Sequence, residues 1–117
     1  MYLVKKNKVI TATRGDYLEI HLELLKGKFP YQEKLTIGDK DLIYFGLMDP
    51  NSHFERALVK KELSSADFDS EGNLVITLNV EDTLTLYPGT YFYALKLLKE
   101  NAEIETILQK TRFNLID

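Results

Sequence analysis

The sequence of 117 residues contains no cysteine and no tryptophan, and no uninterrupted apolar run reaches the length of a membrane-spanning helix. Without cysteine the chain forms neither disulfides nor thiolate metal sites. It also lacks an apolar segment typical of a secretory signal, so we expect the protein to be made and folded in a cytosol. The length predicts a single domain over residues 1–117, which buries about 65% of the surface that the unfolded chain exposes.

A strong charge of either sign is missing as well. The 15 Lys and Arg residues against 18 Asp and Glu residues give a formal net charge of −3. Basic residues cluster only at Lys5, Lys6 and Lys8 and at Lys26 and Lys28, and no basic stripe is interleaved with aromatic residues. We therefore predict neither a nucleic-acid partner nor a membrane partner.

The sequence does contain alternation typical of β-strands, with turn signals at short intervals. In residues 17–25 the even positions are apolar and most positions between them are polar, which predicts a half-buried strand. Residues 41–48 are apolar on both faces and are expected to lie centrally in a sheet. Further strands are expected at residues 8–13, 54–63, 74–78, 91–98 and 104–116, with loops at 27–38 and 99–102. About seven short strands predict an all-β, immunoglobulin-like antiparallel β-sandwich.

The clearest single pattern spans residues 81–97. It begins as a short helical or turn segment, passes through Pro88-Gly89 and ends in a strand whose side chains alternate between two faces. The odd positions of this strand are expected to face the core. The expected inward residues are Tyr91, Tyr93, Leu95 and Leu97 here, Ala57 and Val59 in strand 54–63, Leu74, Ile76 and Leu78 in strand 74–78, and Ile104, Thr106, Leu108, Phe113 and Leu115 in the last strand.

The same segment carries a resemblance to a known family. It reads acidic-Thr-x-x-Leu-x-Pro-Gly-x-Tyr-x-Tyr-x-hydrophobic-x-Leu, and a hairpin and a strand ending in Phe-x-hydrophobic follow it. The matching residues are Asp82, Thr83, Leu86, Pro88, Gly89, Tyr91, Tyr93, Leu95, Leu97 and Phe113-Asn114-Leu115, and Arg14-Gly15-Asp16 precedes an alternating strand upstream. Over about residues 10–116 the chain resembles the N-terminal domain of the phage baseplate upper protein family and related small prophage tail and neck proteins.

This resemblance implies a structural protein of a tailed phage or prophage virion. Such a domain packs against copies of itself or against other virion structural proteins and performs no catalysis. The implied place of action is the virion, assembled in the host cytoplasm. The alternative is an extracellular or cell-surface immunoglobulin-like module that binds a protein or a carbohydrate, although the missing tryptophan disfavours sugar binding.

Three short motifs suggest chemistry, and each has a structural interpretation that we favour. Arg14-Gly15-Asp16 spells an integrin-recognition tripeptide, but glycine between charges at the start of a strand is more common as a turn. Residues 67–74 match the first half of a calcium loop, yet Leu78 stands at the twelfth position, where a bidentate Glu is needed. We expect residues 67–73 to form a tight connection between strands instead. His21 and His53 are expected at separate exposed sites without ligand-like neighbours. We therefore predict no catalytic, cofactor-binding or metal-binding residues.

The two ends of the chain leave one question open. Residues 2–4 and 113–116 carry apolar side chains beyond what a seven-stranded core needs. These segments could form a free apolar edge through which the domain forms a homo-oligomer, because unpaired edges readily pair with other chains. Residues 2–4 could equally add an edge strand to the domain's own sheet.

Overall fold

The computed structural model describes residues 2–4, for the backbone alone, and residues 9–27 and 30–117. The strands are β1 Tyr2–Val4, β2 Ile10–Thr13, β3 Leu18–Leu22, β4 Leu24–Lys26, β5 Glu33–Lys34, β6 Leu42–Met48, β7 Val59–Leu63, β8 Leu74–Leu78, β9 Gly89–Leu98 and β10 Ile104–Ile116. A short helix, α1, covers Val80–Leu84, and 3-10 turns cover Phe54–Arg56 and Ser65–Asp67. Within the described residues, no helix is both long and apolar enough to span a membrane.

The strands form two packed layers. One layer is a five-stranded sheet in the order β2-β10-β9-β6-β7, and the other contains the β3-β8 pair and the short β1-β4-β5 sheet. This arrangement confirms the prediction of an all-β immunoglobulin-like sandwich, and β6 lies inside its sheet as expected. One pairing departs from the antiparallel prediction, because β2 runs parallel to β10 with Ile10 opposite Phe113.

The core lies between the layers and follows the expected alternation in β8 and β9. All seven residues assigned inward in these two strands are buried. Tyr93 is fully buried beside Phe45, with ring centroids 5.8 Å apart and planes tilted by 33°. Burial raises the pKa of Tyr93 to about 12. These large side chains fill the space between the sheets without a disulfide.

The strand predicted at residues 54–63 is shorter than expected. Phe54–Arg56 is a 3-10 turn, and β7 begins only at Val59. Phe54 covers Gly46 of β6, where a Cβ atom would lie 2.8 Å from the Phe54 ring, and the Lys96 ammonium lies 4.8 Å from the centroid of that ring. The local sequence alternates like a strand, but packing against a glycine on the outer face of the sheet curls it into a turn.

Two of the inward assignments in the last strand are wrong. Ile104 is 66% exposed and Thr106 is also exposed, whereas Ile107 and Leu108 are both buried. The pairing of β10 with β9 shifts register between Thr106 and Leu108 and again before Thr111. Each irregularity changes which face the following residues occupy, so a single alternation cannot describe this strand.

Two further expectations are corrected near the start of the chain. The strand expected at residues 17–25 is divided at Glu23 into β3 and β4, which belong to different sheets. The loop expected at residues 27–38 contains β5, while Lys28 and Phe29 lie outside the described residues.

Residues 2–4 and 113–116, which could have formed a free apolar edge, both pair with strands of the same domain. β1 pairs with β4, and Phe113–Ile116 of β10 pairs with β2. Phe113 and Leu115 are buried. The second interpretation, an added strand in the domain's own sheet, is therefore correct for residues 2–4.

Candidate interaction surface

The two motifs that carry the family resemblance, Arg14-Gly15-Asp16 and the segment from Asp82 to Tyr91, meet at one corner of the sandwich. The turn after β2 contacts α1, and the Gly15 N–H donates to the Thr83 hydroxyl at 2.9 Å. Thr83 is only 1% exposed. Gly15 has φ +79°, and a Cβ there would lie 3.1 Å from the Leu84 Cδ1 atom. A left-handed conformation and close packing therefore both favour glycine at this position.

Arg14 fastens the same turn to the end of β10. Its backbone N–H donates to the Ile116 carbonyl at 2.7 Å, and its guanidinium donates to the Leu84 carbonyl at 3.1 Å. Two further guanidinium nitrogens lie 3.1 and 3.2 Å from one Asp117 carboxylate oxygen. The turn interpretation of Arg14-Gly15-Asp16 is confirmed, since Arg14 is bound within the domain and only Asp16 of the three is exposed.

The connection between β8 and β9 completes this corner. Asp82 accepts a hydrogen bond from the Asn79 N–H at 2.7 Å and so caps α1, which confirms the expected short helical segment. The Tyr91 hydroxyl donates to the Tyr87 carbonyl at 2.6 Å. A tyrosine that bonds back a few residues at this connection is a hallmark of immunoglobulin-like domains. Burial, and to a smaller degree the Asp49 carboxylate, raises the pKa of Tyr91. We call Arg14, Gly15, Thr83 and Tyr91 the corner cluster.

Exposed apolar side chains surround the corner cluster. Leu84 is 50% exposed, Ile116 49% and Tyr87 86%. Leu84 and Ile116 are both anchored by Arg14 through their carbonyls, and Tyr87 by Tyr91. We call Leu84, Tyr87 and Ile116 the corner surface. Large apolar residues held on a fixed backbone are suited to act as interface anchors.

A second polar group lies on the outer face of the β3-β8 pair. The Tyr17 hydroxyl donates to Glu19 at 2.7 Å, and the two ring nitrogens of His21 lie 3.4 Å from Glu19 and 3.0 Å from Asp69. We call these four residues the surface array. The expectation that His21 has no ligand-like neighbours is wrong, because the turn before β8 brings Asp69 to it. His53 makes no side-chain cap bond at the adjacent 3-10 turn.

The surface array shifts the pKa values of its members in opposite directions. Hydrogen bonding to Asp69 raises the pKa of His21. Hydrogen bonds from the Asn73 N–H and then from His21 lower the pKa of Asp69, and those from Tyr17 and His21 lower that of Glu19. Side-chain exposure at His21 is 46%. The array is thus a solvent-exposed chain of hydrogen bonds rather than a buried acid–base centre.

The carboxylates of the calcium-like segment cap local backbone. Asp67 accepts from the Ser64 N–H at 2.8 Å, and one Asp69 oxygen accepts from the Glu71 and Asn73 N–H groups at 2.9 Å each. Among the described residues, no group of three or more His, Cys, Asp or Glu side chains is arranged to hold a metal ion. These bonds form the tight connection that the sequence predicted before β8.

A shallow pocket lies beside this connection. It has a volume of about 290 Å³ and is lined by residues 34–37 and by Ser65, Phe68 and Gly72. Lys34 donates to the Glu71 carbonyl at its rim. None of the residues in the corner cluster or the surface array lines this pocket.

All four residues of the corner cluster belong to motifs that are visible in the sequence, but the contacts between them are not. Arg14, Gly15, Thr83 and Tyr91 stood out as motif residues, yet no local pattern shows that Thr83 binds Gly15. One feature of the sequence indicates that Tyr87 is exposed: it is an aromatic residue directly before Pro-Gly and lies outside the strand alternation. No local pattern indicates that Asp69 is the partner of His21, because 48 residues separate the two in sequence.

Comparisons with known proteins add little to this description. No protein-family model matches the chain, and no curated protein matches it. A solved structure of murine CRIg is similar over 99% of this chain and 97% of that chain, at 9% sequence identity and a TM-score of 0.43. A likeness of this size carries no argument about function. The immunoglobulin-like assignment rests on the sheet order and on the Tyr91 hydrogen bond.

Proposed function

We propose that this chain is a non-enzymatic structural or assembly protein of a tailed phage or prophage virion, in the tail, baseplate or neck. It packs against other virion structural proteins and works without a cofactor or metal. The observation that supports the proposal most is the place of the resembling motif residues. Asp82 caps α1, Thr83 binds Gly15 and Tyr91 binds the Tyr87 carbonyl, so these residues build one corner of the fold.

The corner surface is the contact region in this proposal. Its three apolar side chains extend from backbone that Arg14 and Tyr91 hold in place, which lowers the entropy that is lost when a partner binds. Aromatic residues such as Tyr87 are enriched at protein interfaces because they combine a large apolar area with a polar tip. The motif residues then serve the interface indirectly, by fixing its shape.

The arrangement of polar groups also supports a role through surface contact. In the corner cluster and the surface array, side chains bond to backbone groups or to one another. Neither group lines the 290 Å³ pocket beside the connection before β8. In this proposal the protein acts by association with its partners.

The first test is to locate the protein. Particles are purified by density gradient from an induced host that carries the gene, and an antibody against this chain is used for blotting and for gold labelling in electron microscopy. We expect the chain to co-purify with particles at a constant ratio to the major tail protein and to be labelled at one site on the tail or neck. Complete absence from intact particles, with the chain found on the cell surface instead, would favour the binding-module alternative.

The second test addresses the corner surface. Tyr87→Ser is compared with Tyr31→Ser, because both tyrosines are 86% exposed and Tyr31 lies in the turn between β4 and β5. We expect Tyr87→Ser to reduce incorporation into particles several-fold while Tyr31→Ser leaves it unchanged, with equal melting temperatures for the two isolated proteins. Equal incorporation of both variants would remove the corner surface from the proposal.

A further inference from the structure

The last strand of the five-stranded sheet has an open side. β7, with the sequence Val-Lys-Lys-Glu-Leu, pairs with β6, and no other strand of the described residues pairs with its outer side. Alternate N–H and C=O groups of an edge strand point away from its partner. β7 therefore offers a row of backbone groups to any extended chain that can lie beside it.

The charges of β7 are divided between its two faces. Lys60 and Glu62 are exposed on the outer face. Lys61 lies on the opposite face, where its ammonium is 2.7 Å from the Asp82 carboxylate, with side-chain exposures of only 22% and 17%. Lys60 donates one hydrogen bond to the Glu55 carbonyl at 2.9 Å. An ammonium has three donors, so two remain for other partners.

A second copy of β7 can pair antiparallel with the first about a two-fold axis through Lys61. In this register Lys60 lies directly opposite Glu62 of the second copy, and the symmetry repeats the pair. The two Lys61 residues are also opposite each other, but each is already neutralised by Asp82 of its own chain. Opposite charges placed directly across an antiparallel pair stabilise it.

Neighbouring registers are less favourable. A shift of the axis to Lys60 or to Glu62 places two lysines or two glutamates opposite each other, and like charges in that position destabilise the pair. A shift by a single residue exchanges the faces of one strand and would bring outer side chains against the sandwich edge. The charge pattern of this strand thus selects one symmetric register.

We propose that β7 is a homodimerisation edge, which joins the five-stranded sheets of two copies into one continuous sheet. The occupant of the edge is a second copy of this chain, because the five residues are complementary to themselves. A two-fold interface of this kind uses the same surface on both subunits. The inference does not depend on a role in a virion.

The test is analytical ultracentrifugation across a wide range of protein concentration at low salt. Lys60→Glu and Glu62→Lys each turn both cross-copy pairs into like-charge pairs, and we expect each to raise the dimer dissociation constant at least about tenfold. The double variant Lys60→Glu with Glu62→Lys restores opposite charges and should return the constant close to that of the wild type. Raising the salt concentration should weaken the wild-type dimer.

Two controls separate this edge from other causes. Glu103→Lys makes the same change of charge in the exposed hairpin after β9 and should leave the dissociation constant unchanged. Circular dichroism checks that every variant keeps its β-sheet spectrum and its melting temperature. A wild type that remains monomeric to millimolar concentration would overturn the proposal, and so would a dimer that responds equally to Glu62→Lys and Glu103→Lys, or a double variant that is no better than the single ones.

Discussion

The corner cluster and the surface array are both hydrogen-bonded groups that join distant parts of the chain, but they differ in their access to water. In the corner cluster the hydroxyl that binds Gly15 belongs to Thr83, which is 1% exposed. In the surface array the His21 and Glu19 side chains are close to half exposed. Water can replace a lost partner at the array but not at Thr83, so similar bond lengths imply unequal contributions to stability.

The largest effect is expected at Thr83. Thr83→Val keeps the shape of the side chain but removes the acceptor of the Gly15 N–H, which then lacks its partner in a partly buried setting. The free energy of unfolding should fall by about 1–3 kcal/mol, measured by urea titration. Thr90→Val, at an exposed position of β9, is the matched control and should change it by less than about 0.5 kcal/mol. Equal values for the two variants would contradict the importance of the buried bond.

The next effect concerns the backbone of the same turn. Gly15→Ala places a Cβ on a residue with φ +79° and close to Leu84, and we expect a loss of about 1–2 kcal/mol in the free energy of unfolding. Gly15→Asn should cost less than Gly15→Ala, because asparagine adopts left-handed conformations more readily. If both substitutions were neutral in thermal and urea unfolding, the turn geometry described for Gly15 would be wrong.

A pair of tyrosine variants tests most directly whether the corner cluster contributes more to stability than the surface array. Tyr91→Phe removes the donor to the Tyr87 carbonyl and should destabilise the protein by about 0.5–1.5 kcal/mol. Tyr17→Phe removes the bond to Glu19 in the surface array, where solvent takes its place, and should have almost no effect. The same urea titration serves for both variants. A larger loss for Tyr17→Phe would reverse the ranking of the two groups.

The smallest effect depends on pH and belongs to the surface array. The pKa of His21 is raised above 6.5, so its contribution is fully present below that value and is lost as pH rises through the higher folded-state pKa. The pKa of Asp69 is lowered below 3.8, so its contribution is present above that value and is lost as pH falls through the lower folded-state pKa. Both contributions coexist between about pH 4 and pH 6.5.

The measurement is the difference in melting temperature between the wild type and His21→Gln as a function of pH. We expect the wild type to be more stable near pH 5 and the difference to disappear by about pH 9, where His21 is neutral in both the folded and the unfolded state. His53→Gln, which leaves the array intact, is the control for the replacement of a histidine. A difference that grows toward high pH would contradict the assigned pairing of His21 with Asp69.

The sequence predicted the strands whose two faces have clearly different environments. Leu74–Leu78 alternates regularly, and in Gly89–Leu98 every second residue from Tyr91 to Leu97 is buried, so the inward residues could be identified from the period of two. Phe54 could not be placed in this way, because its position depends on the missing side chain of Gly46 in another strand. The register shifts after Thr106 in β10 could not be located from the sequence either, because this strand contains no glycine or proline that would indicate a bulge.

Among the residues of the candidate site, local features could be predicted from the sequence and contacts between distant residues could not. The turn at Gly15 and the short helical segment before Pro88 are local features, and the sequence predicted both. The bonds from Gly15 to Thr83 and from His21 to Asp69 join residues 68 and 48 positions apart, and they exist only once the sheets have formed. Local pattern therefore predicts which residues form turns and caps, while their partners depend on tertiary structure.

The parallel pairing of β2 with β10 has a mechanical consequence. The chain enters this pair at Ile10, opposite Phe113, and leaves it at the far end, where Thr13 lies opposite Ile116. Tension applied at Ile10 and at Ile116 would therefore pull β2 and β10 past each other along their length. All the hydrogen bonds of the pair bear that load together in shear, whereas an antiparallel pair pulled at adjacent ends would open one bond at a time. For tension applied at these two points, the resistance to stretching lies in the β2–β10 pair itself.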